Sequence, residues 1–227
     1  MKFSVIEGLD GSVKSTQVSM LQDYLKQNKI AFEYLHFPRT DSPVFGDLVA
    51  RFLRGELGDN NSVNPYLVAL IYAGDRHDAS PIIRQWQAEN KLVIVDRYVF
   101  SNIAYQCAKL DNLEEKEKLK QWILDLEYNY YHIPKPNLNI FFDVPFAFTV
   151  ERLTKGRSGG DRDYLQGQVD IHEADMGFQS HVRDVYVNLA KTEPTLQMIS
   201  CSDNEKMLKP ETIFEMLIEK LKAGNII

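Results

Sequence analysis

The sequence predicts an α/β fold in which helices cover both faces of a parallel sheet of five strands. Short apolar runs alternate with longer stretches of helical period, and no repeat or Pro/Ser-rich linker interrupts them. Strands that alternate with helices are joined by crossovers and therefore pair in parallel. The length of 227 residues suits one large domain better than two separate cores. We therefore expect a single domain over residues 1–227.

Five apolar runs predict the strands. The clearest is the run LVIV, because a short continuous apolar segment is typical of a strand buried on both faces. The predicted strands are residues 3–6, 31–36, 92–95, 138–144 and 196–201.

The stretches between the strands have the 3.6-residue period of helices. The first of them begins after a glycine-bearing turn, where a helix N-terminus can face a ligand. The predicted helices are residues 15–28, 43–54, 65–89, 101–109, 114–131, 146–155, 169–190 and 211–222.

Composition and charge exclude several classes of protein. The longest purely apolar run, residues 67–73, is too short to cross a bilayer, and the N-terminus lacks the pattern of a signal peptide. Two cysteines far apart exclude a disulfide framework and indicate a reducing compartment. The net charge of −6 argues against a nucleic-acid surface. We expect a cytoplasmic protein without a membrane or nucleic-acid partner.

Residues 7–16, EGLDGSVKST, follow the first strand and open the first helix. They match the phosphate-loop pattern of Gly, four residues, Gly, Lys, Ser or Thr, with Val13 in place of the second glycine. Lys14 would neutralise the β- and γ-phosphates of ATP, and Ser15 would ligate Mg²⁺. The residues expected to bind ATP are Gly8, Leu9, Asp10, Gly11, Ser12, Val13, Lys14, Ser15 and Thr16.

Valine is an unexpected residue at this point of the loop. If the backbone of Val13 needs a positive φ, the β-branched side chain adds strain of about 1–3 kcal/mol. Otherwise the loop has another shape. Strain of that size would weaken nucleotide binding about tenfold or more. A nucleotide-binding protein with impaired catalysis is therefore one alternative.

Three more motifs lie after the second strand, in the third helix and after the third strand. They are FPR at residues 37–39, YAGDR at residues 72–76 and DRYVFSNIAYQ at residues 96–106. Together with the phosphate loop they resemble the thymidylate kinase family over almost the whole chain. The resemblance implies a three-layer P-loop nucleoside-monophosphate kinase fold, a short lid at about residues 156–166, and a homodimer.

The resemblance also implies a role for each matched residue. Arg39 and Arg97 would hold the phosphate of the acceptor, which suits the planar fork of arginine. Asp10 would bind the sugar 3′-hydroxyl, and Tyr105 would pack on the deoxyribose and disfavour a 2′-hydroxyl. Asp96, at a strand end, would act on Mg²⁺ through water.

At the base, the resemblance implies that Tyr72 stacks on thymine, that Arg76 donates to a base carbonyl and that Asn102 or Ser101 reads the base edge. The set expected to bind the acceptor is Asp10, Phe37, Arg39, Tyr72, Arg76, Arg97, Ser101, Asn102, Tyr105 and Gln106.

A basic segment with three glycines, KGRSGGDRDY at residues 155–164, follows the fourth strand and its helix. Such a segment is typical of a closing lid, and an arginine that reaches the transferred group accelerates phosphoryl transfer. The family places this arginine in the phosphate loop or in the lid. Because Gly11 follows Asp10 here, the resemblance assigns it to Arg162 or Arg157, with Arg162 preferred.

The predicted reaction is phosphorylation of dTMP by ATP with Mg²⁺, and the predicted catalytic residues are Lys14, Arg97, Arg162 and Arg157. Another nucleoside-monophosphate or deoxynucleoside kinase is the nearest alternative. Structural alternatives also stay open, since Arg39 could simply pair with Asp41 and the lid could be a solvated loop.

Overall fold

The computed structural model describes residues 2–155, 160–204 and 206–227, without the side chains of residues 160–162. Within these ranges a parallel sheet has the strand order β2-β3-β1-β4-β5, which confirms the predicted five-stranded parallel sheet. The strands are β1 (Phe3–Gly8), β2 (Phe32–His36), β3 (Leu92–Asp96), β4 (Leu138–Asp143) and β5 (Leu196–Ser200).

Helices cover both faces of the sheet, as predicted. A short 3₁₀ helix, Gly160–Leu165, follows the fourth strand and its helix. The α-helices are α1 (Lys14–Gln27), α2 (Phe45–Leu53), α3 (Pro65–Ala88), α4 (Val99–Cys107), α5 (Leu113–Leu124), α6 (Phe146–Thr154), α7 (Met176–Thr192) and α8 (Pro210–Ala223).

Three elements differ from the prediction. The helix predicted from residue 169 begins only at Met176, because Asp175 caps it by accepting a hydrogen bond from the Phe178 N–H at 2.9 Å. The helix predicted over residues 114–131 changes to a π-helix at Asp125–Tyr130. A small hairpin of β6 (Ser202–Asp203) and β7 (Lys206–Met207) was too short for a periodic signal.

The core follows the alternation of side chains along the strands. In β3, Val93 and Val95 belong to the cluster on the side of α3, α4 and α7, whereas Ile94 belongs to the cluster on the side of α1 and α8. Because both faces are buried, the strands have continuous apolar sequences. This packing fixes the carboxyl ends of β1 and β3 side by side, and the motifs begin there.

Candidate functional site

The carboxyl ends of the central strands open onto a cavity of about 1240 Å³. Ligands bind at this edge in parallel α/β sheets. The structure brings most of the predicted site residues to its walls, from segments far apart in the sequence. Those that line it are Asp10, Gly11, Ser12, Val13, Lys14, Ser15, Thr16, Phe37, Arg39, Tyr72, Arg76, Asp96, Arg97, Ser101, Asn102, Tyr105 and Gln106.

The phosphate loop has its positive φ at Gly11 (+68°) and not at Val13, whose φ is −80° and ψ is 4°. Valine adopts that conformation without strain. The alternative that Val13 is strained is therefore wrong, and the loop has the other shape considered above. The Val13 side chain packs against the core around Ile6.

Lys14 lies against the backbone of the loop that precedes it. Its Nζ donates to the Leu9 carbonyl oxygen at 2.9 Å and to the Gly8 carbonyl oxygen at 3.3 Å. Gly8 and Leu9 themselves are buried, whereas Ser15 and Thr16 are exposed in the first turn of α1. A phosphate in the loop would meet the ammonium group and the helix N-terminus together.

Asp96 and Ser15, the two residues predicted to hold magnesium, both line the cavity. Asp96 is buried, and its Oδ2 lies 3.3 Å from Nδ1 of His36. Burial acts to raise the pKa of Asp96, but the hydrogen bond from His36 and the charges of Lys14 and Arg97 outweigh it and lower the pKa.

The other carboxylate oxygen of Asp96, Oδ1, is buried and lacks a hydrogen-bond partner among the described residues. A carboxylate oxygen and a hydroxyl are ligands that Mg²⁺ accepts together with water and phosphate oxygens. Asp96 and Ser15 therefore fit this ion. Within the described ranges, no group of three or more His, Cys, Asp or Glu side chains could enclose a metal.

Asp10 is at the centre of a hydrogen-bond network beside the phosphate loop. Its Oδ1 accepts from Nη2 of Arg97 at 2.8 Å, and its Oδ2 accepts from the Tyr105 hydroxyl at 2.7 Å and from Nε2 of Gln179 at 3.1 Å. Arg97 has a φ of +66°, unusual for a side chain of this size. Asp10 thus ties together three residues from α4, α7 and the β3–α4 turn.

Glu7 holds the first turn of α4 from behind. Its fully buried carboxylate accepts from the backbone N–H of Tyr98 at 3.1 Å and from the hydroxyls of Ser101 at 2.5 Å and Tyr186 at 2.9 Å. Burial raises the pKa of Glu7. Sequence reasoning missed this role, although a glutamate at the end of an apolar strand was the available signal. The Ser101 hydroxyl is engaged here.

Arg39 pairs with α3 and not with Asp41. Its Nε donates to Asp75 Oδ1 at 2.9 Å and its Nη2 to Asp78 Oδ2 at 2.6 Å. The alternative of a simple pair with Asp41 is therefore wrong. The guanidinium also lies 5.9 Å from the centre of the Phe37 ring. These contacts hold Arg39 at the cavity wall.

Helices α3 and α4 contribute Tyr72, Arg76, Asn102 and Gln106 to the cavity lining. Arg76 is almost fully buried and makes a bidentate pair with Glu127, through Nε at 2.5 Å and Nη2 at 2.7 Å. Both amide atoms of Gln106 are buried without a hydrogen-bond partner among the described residues. These are groups that a ligand with hydrogen-bonding edges could satisfy.

Residues from the predicted lid and from the start of the predicted helix 169–190 also line the cavity, namely Tyr164, Asp170 and His172. The Tyr164 hydroxyl donates to Asp170 Oδ2 at 2.8 Å, and Nη1 of Arg54 donates to the Tyr164 carbonyl oxygen at 2.7 Å. Burial and the charge of Asp10 raise the pKa of Asp170 to about 7. Burial lowers the pKa of His172, whose ring lies 5.0 Å from that of Tyr105, to about 3.

The two predicted lid arginines are not placed by the structure. Arg157 lies outside the described residues, as does the side chain of Arg162. Both cysteines are free and buried. In the described part of the chain, the helices are too short or too polar to span a bilayer.

Comparison with known proteins gives one consistent result. A family model described as thymidylate kinase matches residues 6–211. The thymidylate kinase of Mycobacterium tuberculosis (strain H37Rv) is 33% identical over 185 residues, which are 82% of this chain and 84% of that protein. The probable thymidylate kinase of Thermococcus kodakarensis is 29% identical over 224 residues, with coverage of 96% and 98%.

The fold has a counterpart among solved structures. The structure of thymidylate kinase from Candida albicans superimposes with a TM-score of 0.71 at 24% identity. It covers 99% of this chain and 92% of that one. The three-layer arrangement of sheet and helices is therefore shared over nearly the whole length.

Proposed function

Because the chain belongs to the thymidylate kinase family, we propose that it transfers the γ-phosphoryl group of ATP to the 5′-phosphate of dTMP, giving ADP and dTDP. The observation that carries this proposal is the convergence of cationic side chains. Lys14, Arg39 and Arg97 come from three separate segments and line the same cavity. Such an arrangement suits two anionic nucleotides that meet end to end.

The reaction needs no general base, because the attacking phosphate oxygen of the acceptor is already ionised. Catalysis then depends on positioning and on stabilising the charge of the transferring group. Lys14 and Arg97 supply that charge from the phosphate loop and the β3–α4 turn. A lid arginine, Arg162 or Arg157, would complete it from about residues 156–166.

Ser15 and Asp96 would hold Mg²⁺, the latter through water. The ion would supply positive charge that offsets the charge of the ATP phosphates. The unpartnered Oδ1 of Asp96 supports this assignment. Gly8–Thr16 would bind the phosphates of ATP through the backbone N–H groups of the loop.

The acceptor would lie along the rest of the cavity. Arg39 would hold its phosphate beside Phe37, Asp10 its 3′-hydroxyl and Tyr105 its deoxyribose. The base would lie against Tyr72, with its edge toward Arg76, Asn102 and Gln106. The fixed position of the Tyr105 hydroxyl, on Asp10, supports exclusion of a 2′-hydroxyl.

We also propose a homodimer in the cytoplasm, formed by a single domain over residues 1–227. Its support is an apolar face on α3, where Leu67 is 58% exposed and Leu70 is 37% exposed. Analytical ultracentrifugation tests the proposed dimer by measuring the mass of the particle in solution. A monomer at micromolar concentration would overturn it.

Steady-state kinetics with ATP and Mg²⁺ test the proposed reaction, with dTMP, dUMP, UMP, CMP and thymidine as acceptors. We expect the highest kcat/KM with dTMP, and product identified as the diphosphate. A higher kcat/KM with a ribonucleotide would remove the role given to Tyr105. No transfer to any acceptor would favour a binding protein, although the relaxed φ of Val13 removes the strain that motivated that alternative.

A further inference from the structure

Glu127 is a buried carboxylate that the proposed reaction does not use. It contacts the part of the cavity lining where we place the base, formed by Tyr72, Arg76, Asn102 and Gln106 and called the base end below. It lies in the π-helix Asp125–Tyr130 with none of its surface exposed. Its two oxygens accept from Arg76, and Oε1 also accepts from Nδ2 of Asn102 at 3.0 Å. It therefore contacts two of the residues predicted to read the base edge, Arg76 and Asn102.

The contacts of Asn102 determine which way its amide points. Nδ2 has two neighbours, Oε1 of Glu127 and the carbonyl oxygen of Ala69, each at 3.0 Å. Both neighbours only accept hydrogen bonds, so only the NH₂ end of the amide can face them. The amide oxygen must then point the other way.

Asn102 lines the cavity. Asn102 is only 3% exposed, and Oδ1 is buried without a hydrogen-bond partner among the described residues. Arg76 uses Nε and Nη2 on Glu127, so Nη1 is the guanidinium nitrogen that Glu127 does not engage. Asn102 and Arg76 both line the cavity and are held by the same carboxylate, which leaves one amide oxygen and one guanidinium nitrogen that Glu127 does not engage.

We propose that Glu127 is a positioning residue that sets the preference for thymine over cytosine by fixing the orientation of the Asn102 amide. This inference rests on the proposed function. A thymine or uracil ring offers an N3–H donor and an O4 acceptor, which match Asn102 Oδ1 and Arg76. Cytosine offers an N3 acceptor and an N4 donor, which would face an acceptor and a cation.

Glu127 is needed for this selection because the side-chain amide of asparagine has two nearly equivalent orientations about its last bond. The Ala69 carbonyl alone holds one hydrogen of the NH₂ group. The carboxylate holds the other and carries the charge that keeps Arg76 in place. A mismatch of buried polar groups is what makes a site reject an analogue strongly.

The test is the isosteric variant Glu127→Gln, with kcat/KM measured for dTMP, dUMP and dCMP. One oxygen becomes an NH₂ group, which faces Nδ2 of Asn102 and Nη2 of Arg76 in place of Oε1, or Nε of Arg76 in place of Oε2. The neutral amide therefore cannot hold both residues as the carboxylate does, and the Asn102 amide is held less firmly. We expect the ratio of kcat/KM for dTMP to that for dCMP to fall at least about tenfold. Glu115→Gln is the matched control, because Glu115 is exposed on α5 and away from the cavity.

Glu127→Asp keeps two acceptor oxygens at a shorter reach. We expect it to lower kcat/KM while it holds the dTMP to dCMP ratio within about threefold of the wild type. If Glu127 only supports packing, both variants lower kcat/KM for dTMP and for dCMP by the same factor, and the inference is overturned.

Hydrogen exchange on the wild-type chain provides a second measurement in case Glu127→Gln fails to fold. The Asn102 side-chain NH₂ signals, assigned by their loss in Asn102→Ser, should exchange at least about tenfold more slowly than those of exposed Asn61 before any nucleotide binds. Rapid exchange would overturn the inference. A wild type that does not prefer dTMP to dCMP would instead contradict the proposed function.

Discussion

The two ends of the cavity are built in different ways. At the phosphate end, Lys14 is placed by a contiguous loop and contacts the backbone carbonyls of Gly8 and Leu9. At the base end, Arg76 and Asn102 come from different helices and meet at the buried carboxylate of Glu127. A substitution at the phosphate end should therefore lower turnover, whereas one at the base end should first lower folding stability.

Lys14→Met is expected to have the largest effect on turnover. The variant removes the ammonium group proposed to neutralise the β- and γ-phosphates, and we expect kcat to fall at least about 10³-fold. Steady-state assays at saturating ATP and dTMP measure this.

Lys26→Met is the matched control, because Lys26 is an exposed lysine at the other end of the same helix. It should keep the wild-type kcat. If Lys14→Met lowered the thermal midpoint strongly and kcat only slightly, the contrast between the two ends would be lost.

Arg76→Met is expected to act mainly on stability. It leaves the Glu127 carboxylate buried without its cation, and breaking such a pair lowers the free energy of unfolding by about 3–4 kcal/mol. Urea denaturation measures the change. The double variant Arg76→Met with Glu127→Leu should recover part of the loss, because two apolar groups replace the pair. If the double variant were no more stable than Arg76→Met, the unpaired charge of Glu127 would not be the cause of the lost stability.

Lys109 differs from Arg76, because its buried amine lacks a carboxylate partner among the described residues. Its Nζ has no hydrogen-bond partner among the described residues and lies 4.8 Å from the centre of the Phe52 ring. Burial lowers the pKa of Lys109 to about 7. Between pH 10 and 7 the unfolded chain therefore binds a proton that the folded chain does not. Relative to high pH, Lys109 therefore lowers the free energy of unfolding progressively as the pH falls. The decrease is complete below about pH 7, where Lys109 is protonated in both states.

Lys109→Met removes that penalty. We expect the free energy of unfolding to rise by about 2 kcal/mol at pH 6 and to change little near pH 11, where both states are neutral. Denaturation at the two pH values measures the difference. An equal gain at both would show that packing, and not charge, is responsible.

The phosphate end could be predicted from the sequence because its residues are contiguous and follow a strand. Lys14 and Ser15 lie within one short loop, so their spacing alone indicates the site. The alternation of apolar runs and helical stretches predicted the parallel sheet for the same local reason. The start of α7 was missed, because the segment before Met176 has apolar residues at helical spacing but turns under the cap of Asp175.

The base end could be predicted only in part. Arg76 and Asn102 were identified through the family resemblance, but Glu127 was not, since it lies 51 residues from Arg76 and nothing in its local sequence marks it as buried. The same holds for Gln179, 169 residues from Asp10. A side chain whose partner is distant in sequence has no local signature, and these residues fix the geometry of the site.

Val13→Gly has the smallest expected effect and tests the phosphate end itself. The φ of Val13 is −80°, so glycine relieves no strain. Glycine raises the conformational entropy of the unfolded chain, and the variant also loses the packing of Val13 against the core around Ile6. Together these effects should lower the free energy of unfolding by about 1 kcal/mol. We expect no decrease in the KM for ATP, measured by steady-state kinetics. A markedly lower KM for ATP in the variant would show that the loop adopts a strained conformation when ATP binds. The loop shape described above would then not be the shape that binds ATP.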